Sequence, residues 1–201
     1  VPNWTSNKLV VSGSVADVED FLEKAEGLKG ERNFTFTAFI PQPEDLYLGA
    51  LGKEEKDKYG AHNWHDWNTA NWGTKWDAGT ALIERERLTA LTQLAHASMS
   101  QEPRTTATIS FDSAWSPPTP VIKAILKQHP ELEIDYTYLN EGCEGGGVVT
   151  RDSEHYTTDE DGLRQLCIEI HGHDPWAECQ ECGNEVETPD PMAVCLSCSQ
   201  N

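Results

Sequence analysis

The sequence predicts an α+β protein built on a ferredoxin-like βαββαβ unit. Three observations predict it. Two short alternating segments flank one amphipathic stretch, and the same arrangement recurs after residue 104. Each helical stretch carries a single apolar stripe, so both helices are expected on one face of an antiparallel sheet. The last 26 residues differ in kind, with four cysteines in two CxxC pairs.

In chain order, Lys8–Ser12 alternates and reads as a strand ended by Gly13. Ser14 is a good N-cap, and Asp17 three residues on makes an imperfect capping box. Val15, Val18, Phe21, Leu22 and Ala25 recur at helical spacing, so a helix is expected from about Val15 to Glu26. Gly27 and Gly30 close it. Phe34, Phe36 and Ala38 alternate, which predicts a second strand over Phe34–Ile40, ended by Pro41 and Pro43. Glu44–Gly60 reads as a solvated helical insertion around the mixed charges of Lys53–Lys58.

Asn63–Ala78 holds four of the seven tryptophans. Trp64 and Trp67, and Trp72 and Trp76, have the spacing of helical neighbours, and Gly73 divides the stretch into two turns. A buried indole needs an acceptor for its N–H. Asp66, Asn71 and Asp77 are near in sequence. The expectation is a tryptophan core, with Trp72 and Trp76 buried and Asp77 or Asp112 accepting an indole hydrogen bond. The competing reading is an exposed stacking platform for a sugar or base, edged by Lys75 and Asp77.

Glu84–Met99 has Leu88, Leu91, Leu94, Ala95 and Met99 at helical spacing and is expected to be an inserted helix. Ala107, Ile109 and Phe111 alternate with Thr106, Thr108 and Ser110 on a strand. Pro117 and Pro118 suit a helix start, Val121, Ile122, Ile125 and Leu126 form its stripe, and His129-Pro130 stops it. Leu132, Ile134, Tyr136 and Tyr138 alternate on a further strand. Glu141–Gly147 reads as a turn or bulged strand. Thr158 is expected to cap a last helix whose first turn holds Asp159, Glu160 and Asp161. Leu163, Leu166, Cys167 and Ile170 are its apolar side, which makes Cys167 a core residue. The expected domains are 1–150, with insertions at about 44–70 and 84–102, then a helix and linker over 151–175, and a ribbon over 176–201.

Asn71-Trp72-Gly73-Thr74-Lys75-Trp76-Asp77, with Phe111-Asp112-Ser113-Ala114-Trp115-Ser116-Pro117-Pro118, resembles a family of phage and plasmid proteins with a YubB-type ferredoxin-like domain. Pro2-Asn3-Trp4, Asn7–Gly13 and Pro41-Gln42-Pro43-Glu44 add to the resemblance. It covers residues 1 to about 150. It implies a ferredoxin-like fold and a mobile-element setting, and it brings no catalytic residues. The inserted helix at 84–102 departs from the family pattern.

Cys179, Cys182, Cys195 and Cys198 form two CxxC pairs separated by twelve residues. Each pair lets two thiolates from one tight turn reach one metal. The pattern resembles a zinc ribbon. Four cysteines leave no open position for a catalytic water, so one structural zinc is expected. Two disulfides, or iron in place of zinc, are the alternatives. His171, His173 and Asp174 form an HxHD string that could hold a second metal, although a helix end and a polar linker explain it more simply.

The formal charge is −19, and the mean hydropathy is −0.58. Residues 1–140 carry 13 Lys+Arg and 20 Asp+Glu, net −7, whereas residues 141–201 carry 2 and 14, net −12. Such a surface opposes direct binding to nucleic acid or anionic membrane. No apolar run of membrane-spanning length occurs. The start, Val1–Val11, lacks the pattern of a secretory signal, so a cytoplasmic protein of a bacterial host is expected. The favoured function is an acidic protein-interaction module of a phage or mobile element, binding a host protein through a basic surface. It acts as an inhibitor in the sharpest form of this reading, and Asp159, Glu160 and Asp161 belong to its contact surface. Mimicry of nucleic acid is a special case. An enzyme would use Lys75, Asp77 and Asp112, with His65 near Trp115. A nucleic-acid-binding role is the third reading, and the deficit of Lys and Arg opposes it. The sequence carries no sign of oligomeric state.

Overall fold

A computed structural model describes residues 2–26, 34–79, 81–86 and 103–174. It shows a ferredoxin-like α+β architecture. Strands β1 (Trp4–Ser14), β2 (Leu82–Arg85), β3 (Arg104–Ala114), β4 (Glu133–Asn140), β5 (Gly146–Val149) and β6 (Glu154–Thr157) form one sheet. Its order is β2-β3-β1-β4-β5-β6, and every neighbouring pair is antiparallel. Helix α1 (Val15–Ala25) links β1 to β2 across the intervening β3, which is the split arrangement. Helix α4 (Thr119–Gln128) links β3 to β4 in the same way across β1. Helices α2 (Lys53–Tyr59) and α3 (Trp64–Asn71) lie in the long α1–β2 connection.

The register explains the core. Leu9 pairs with Ile109 on one side and Tyr136 on the other, and Val11 with Ala107 and Ile134. All six are buried. Val18, Phe21, Leu22 and Ala25 of α1 and Val121, Ile122, Ile125 and Leu126 of α4 pack on this face. Each of these Val, Leu, Ile and Phe side chains contributes about 1.5–3 kcal/mol of transfer free energy. Ser14 caps α1, its Oγ accepting from the Asp17 N–H at 3.2 Å and donating to the Asp17 carboxylate at 2.6 Å. Asn7 is a buried polar residue of β1. Its Nδ2 donates to the carbonyls of Thr5 and Phe111, and its Oδ1 accepts from the Tyr136 hydroxyl at 2.5 Å. Burial pushes the Tyr136 phenol well above its ordinary range.

Three expectations are corrected. Phe34–Ile40 is no strand. Phe36–Ala38 is a 3-10 turn whose neighbours Phe34 and Phe39 also point into the core. The second strand of the unit is instead Leu82–Arg85, so the inserted helix does not begin at Glu84, and residues 87–102 lie outside the described residues. The two helices of the unit, α1 and α4, share one face as expected. Helix α5 (Glu160–His171) lies on the far side, where Leu163, Leu166 and Cys167 pack on Leu139 and Val148. Its N-cap is Asp159 rather than Thr158, with the Asp159 carboxylate accepting from the Gly162 N–H at 2.8 Å.

The sheet continues past residue 150, because β6 pairs with β5. Gly146 permits α5 to approach. A Cβ there would lie 2.6 Å from both the Leu166 side chain and the Tyr138 carbonyl. Lys8 and Thr137 reach across the same interface to the Glu169 carbonyl and carboxylate, each at 2.9 Å. Helix α2 buries none of its residues, as its charge pattern implies. Among the described residues no helix is long and apolar enough to cross a membrane.

Candidate functional site

The tryptophan stretch divides into an inward and an outward part. Asn63 caps α3, accepting from the Asp66 N–H at 3.0 Å. The helix ends at Trp72, which is 2 % exposed and packs edge-on against Phe36 and Trp67. Its indole N–H donates to the Ile40 carbonyl at 2.9 Å, and that of Trp64 to the Gly49 carbonyl at 3.0 Å. Main-chain carbonyls, not the carboxylates expected from sequence, satisfy these indoles. The Asp77 carboxylate faces inward to a different task. It accepts from the Thr35 hydroxyl at 2.5 Å, the Phe36 N–H at 2.6 Å and the Ala78 N–H at 2.8 Å, and so ties down the 3-10 turn.

Trp76 is not buried. It is 38 % exposed, and its ring centroid lies 6.1 Å from that of Trp4, itself 37 % exposed. The Lys75 ammonium sits 4.7 Å from the centroid of the Trp76 ring, a cation–π contact. Trp115 is more exposed still, at 56 %. Its backbone has φ +75°, a left-handed conformation that a bulky side chain seldom adopts. The Trp115 N–H donates to the Asn3 carbonyl at 2.9 Å, which holds this turn beside the start of β1.

Trp115 forms one wall of a cavity of about 390 Å³, together with His65, Thr69, Thr74, Lys75 and Ser116. Helix α3 supplies His65 and Thr69, the segment after it supplies Thr74 and Lys75, and the β3–α4 turn supplies the rest. The three hydroxyls are already donors. Thr69 donates to the His65 carbonyl, Thr74 to that of Ala114 and Ser116 to that of Gly73. His65 Nδ1 lies 2.9 Å from the Asp66 carboxylate, and this contact and Asn63 hold the Asp66 carboxyl below its ordinary range. Lys75, His65 and Trp115 are therefore together. Asp77 faces the 3-10 turn, and Asp112 is exposed on the far side of the sheet, 3.3 Å from the Ser6 hydroxyl. The sequence grouping missed Thr69, Thr74 and Ser116, and no local pattern marks them.

The acidic part has its own geometry. Within 141–174 the two cations are Arg151 and Arg164, against nine carboxylates. Arg151 donates to the carbonyls of Leu126, His129 and Leu132, closing the end of α4. Arg164 faces the buried Asp174 at 3.4 Å. Glu160 and Asp161 stay exposed at the start of α5. Asp159 is exposed as well, and its bonds from Thr157 and the Gly162 N–H hold its carboxyl below the ordinary range.

The four cysteines of the CxxC pairs lie outside the described residues. His171, His173 and Asp174 do not converge. The His173 ring bonds the His171 carbonyl at 3.3 Å, while Asp174 turns to Arg164. Burial and then His173 lower the His171 pKa, and Asp112 opposes them. Among the described residues no three His, Cys, Asp or Glu side chains are placed to hold a metal ion.

A family model described as a ferredoxin-like domain in Api92-like protein matches residues 95–181. The match takes in β3 through α5, and its description agrees with the ferredoxin-like architecture. No curated protein and no solved structure matches the chain.

Proposed function

We propose that this protein is an acidic interaction module that binds a basic surface on a host protein through its C-terminal third. The observation that carries the reading is the placement of Arg151 and Arg164. Both are turned to internal partners, and Asp152, Asp159, Glu160 and Asp161 are exposed with no ion pair among the described residues. Charge of one sign speeds encounter with a partner of the other, and salt weakens it. The setting is a phage or other mobile element in a bacterial cytoplasm, and inhibition of a host factor is the role that fits it. The chain holds one structural zinc at Cys179, Cys182, Cys195 and Cys198. Four thiolates around a doubly positive ion add a further net charge of about −2 to this region.

The test is capture from host lysate at low and high salt, with a variant as control. Asp159→Asn, Glu160→Gln and Asp161→Asn are combined. Asparagine keeps the cap of α5 while its charge is removed. A partner retained at low salt by the natural chain, released at high salt and lost by the variant supports the reading. Equal retention by the variant, or no partner at low salt, sinks it.

A further inference from the structure

No residue of the acidic segment 141–174 lines the cavity beside Trp115, and the chemistry of the cavity is different. We propose that it binds a nucleotide, with the base stacked on the Trp115 indole and the phosphate set against Lys75 and His65. Two independent observations carry this.

The first is the cavity itself. At about 390 Å³ it falls in the range of small-molecule sites. Lys75 is one of its walls, and among the described residues no carboxylate forms an ion pair with it. His65 is held through Nδ1 by Asp66, which leaves Nε2 as the ring nitrogen free of that contact. A cation and an imidazole lining one cavity, in a chain of net charge −19, suit an anionic group of small size.

The second observation is the backbone of Trp115. Trp115 leaves more than half of its area exposed, and its left-handed conformation is costly. Glycine would fill that turn without strain. The fold alone thus gives no reason for tryptophan there, whereas an open aromatic face is what a flat ring stacks on.

The lining selects among flat or ring-shaped ligands. A sugar needs both donors and acceptors around its hydroxyls. Here the hydroxyls of Thr69, Thr74 and Ser116 already donate to main-chain carbonyls, so their remaining capacity is as acceptors. Acceptors suit the exocyclic amines of a base. The surrounding negative charge disfavours a polyphosphate strand, so the ligand is a single nucleotide rather than a nucleic acid.

The experiment is calorimetric titration of the full chain with the four nucleoside monophosphates, the matching nucleosides, ribose 5-phosphate and a thymidine octanucleotide. At least one monophosphate is expected to bind saturably, with its nucleoside and ribose 5-phosphate each about tenfold or more weaker. Trp115→Gly should lose about tenfold or more in affinity while its melting temperature stays level or rises. Trp115→Phe should recover part of the binding, and Lys75→Gln should weaken the monophosphate but not the nucleoside. No saturable heat with any monophosphate up to about 5 mM, a range in which weak stacking alone is detectable, overturns the proposal. So do unchanged binding by Trp115→Gly, and an octanucleotide that binds more tightly than every monophosphate. None of these outcomes depends on the acidic surface, so this site and the proposed partner-binding role stand or fall separately.

Discussion

The indole N–H of Trp72 is bonded to the carbonyl of Ile40, 32 residues earlier in the chain, at 2.9 Å. This contact anchors the long α1–β2 connection to the core, where Trp72 meets Phe36 and Trp67 edge-on. Trp72→Ala removes the ring and leaves the carbonyl without its donor. It is expected to destabilise the protein by about 3–5 kcal/mol, as large aromatic truncations in cores do. The melting temperature should fall by roughly 6–20 °C. Thermal denaturation followed by circular dichroism measures it, and a change below about 1 kcal/mol would contradict the core assignment.

Asp77 and Asp112 should behave unequally although sequence reasoning grouped them. Asp77→Ala removes the acceptor shared by the Phe36 and Ala78 N–H groups and the Thr35 hydroxyl, an expected cost of about 1–3 kcal/mol or more. Asp112 is exposed and meets Ser6 at 3.3 Å, so Asp112→Ala should stay within about 0.5 kcal/mol of the natural chain. Urea denaturation of the two variants decides the order.

Cys167 is 2 % exposed beside Cys143, and burial, followed by the Cys143 thiol, pushes its pKa up to about 11. Iodoacetamide at pH 8 should therefore modify Cys143 before Cys167 in the folded protein, read by peptide mass mapping. The raised value favours the neutral thiol in the fold. Its contribution to stability is full below the ordinary thiol range near 9.0 and is lost as pH rises toward about 11. Equal labelling of the two at pH 8 would place Cys167 outside the core.

Protein purified without added zinc is expected to carry one zinc per chain, lost together with alkylation of Cys179, Cys182, Cys195 and Cys198 in denaturant. Metal analysis by mass spectrometry checks it. Less than about half an equivalent, or disulfides at these positions, ends the zinc reading.

Much of the fold was legible because burial on one face leaves a period. Leu9 and Val11, Ala107, Ile109 and Phe111, and Ile134 and Tyr136 alternate, and the stripes of α1 and α4 recur at helical spacing. The same signal misled at Phe34–Ile40. Phe34, Phe36 and Phe39 all reach the core from a turn, and two of them happen to stand two apart. The true β2 has four residues, of which Ile83 alone packs against the core, too few to show a period. Strand β5 begins with Gly146 and Gly147, which carry no side chains to alternate.

The candidate cavity was only partly legible. Tryptophan density marked the stretch, but spacing could not separate the buried Trp72 from the exposed Trp76. His65 and Lys75 line one cavity with Trp115, 40 to 50 residues away in the chain. The left-handed backbone at Trp115 has no signature in a Ser-Ala-Trp-Ser run.

The position of β1 sets the pace of folding. It lies between β3 and β4, and its register partners stand roughly 90 to 135 residues downstream. At about 5–20 residues per second, synthesis leaves β1 without a partner for roughly 5–20 seconds. During that interval Leu9, Val10 and Val11 form a short apolar segment with nothing to pair with. The sheet cannot nucleate from its middle until β3 emerges, and so many distant pairings make folding slow for the chain's size. The nascent chain is thus most exposed to aggregation, and most in need of a chaperone, before residue 104 is made.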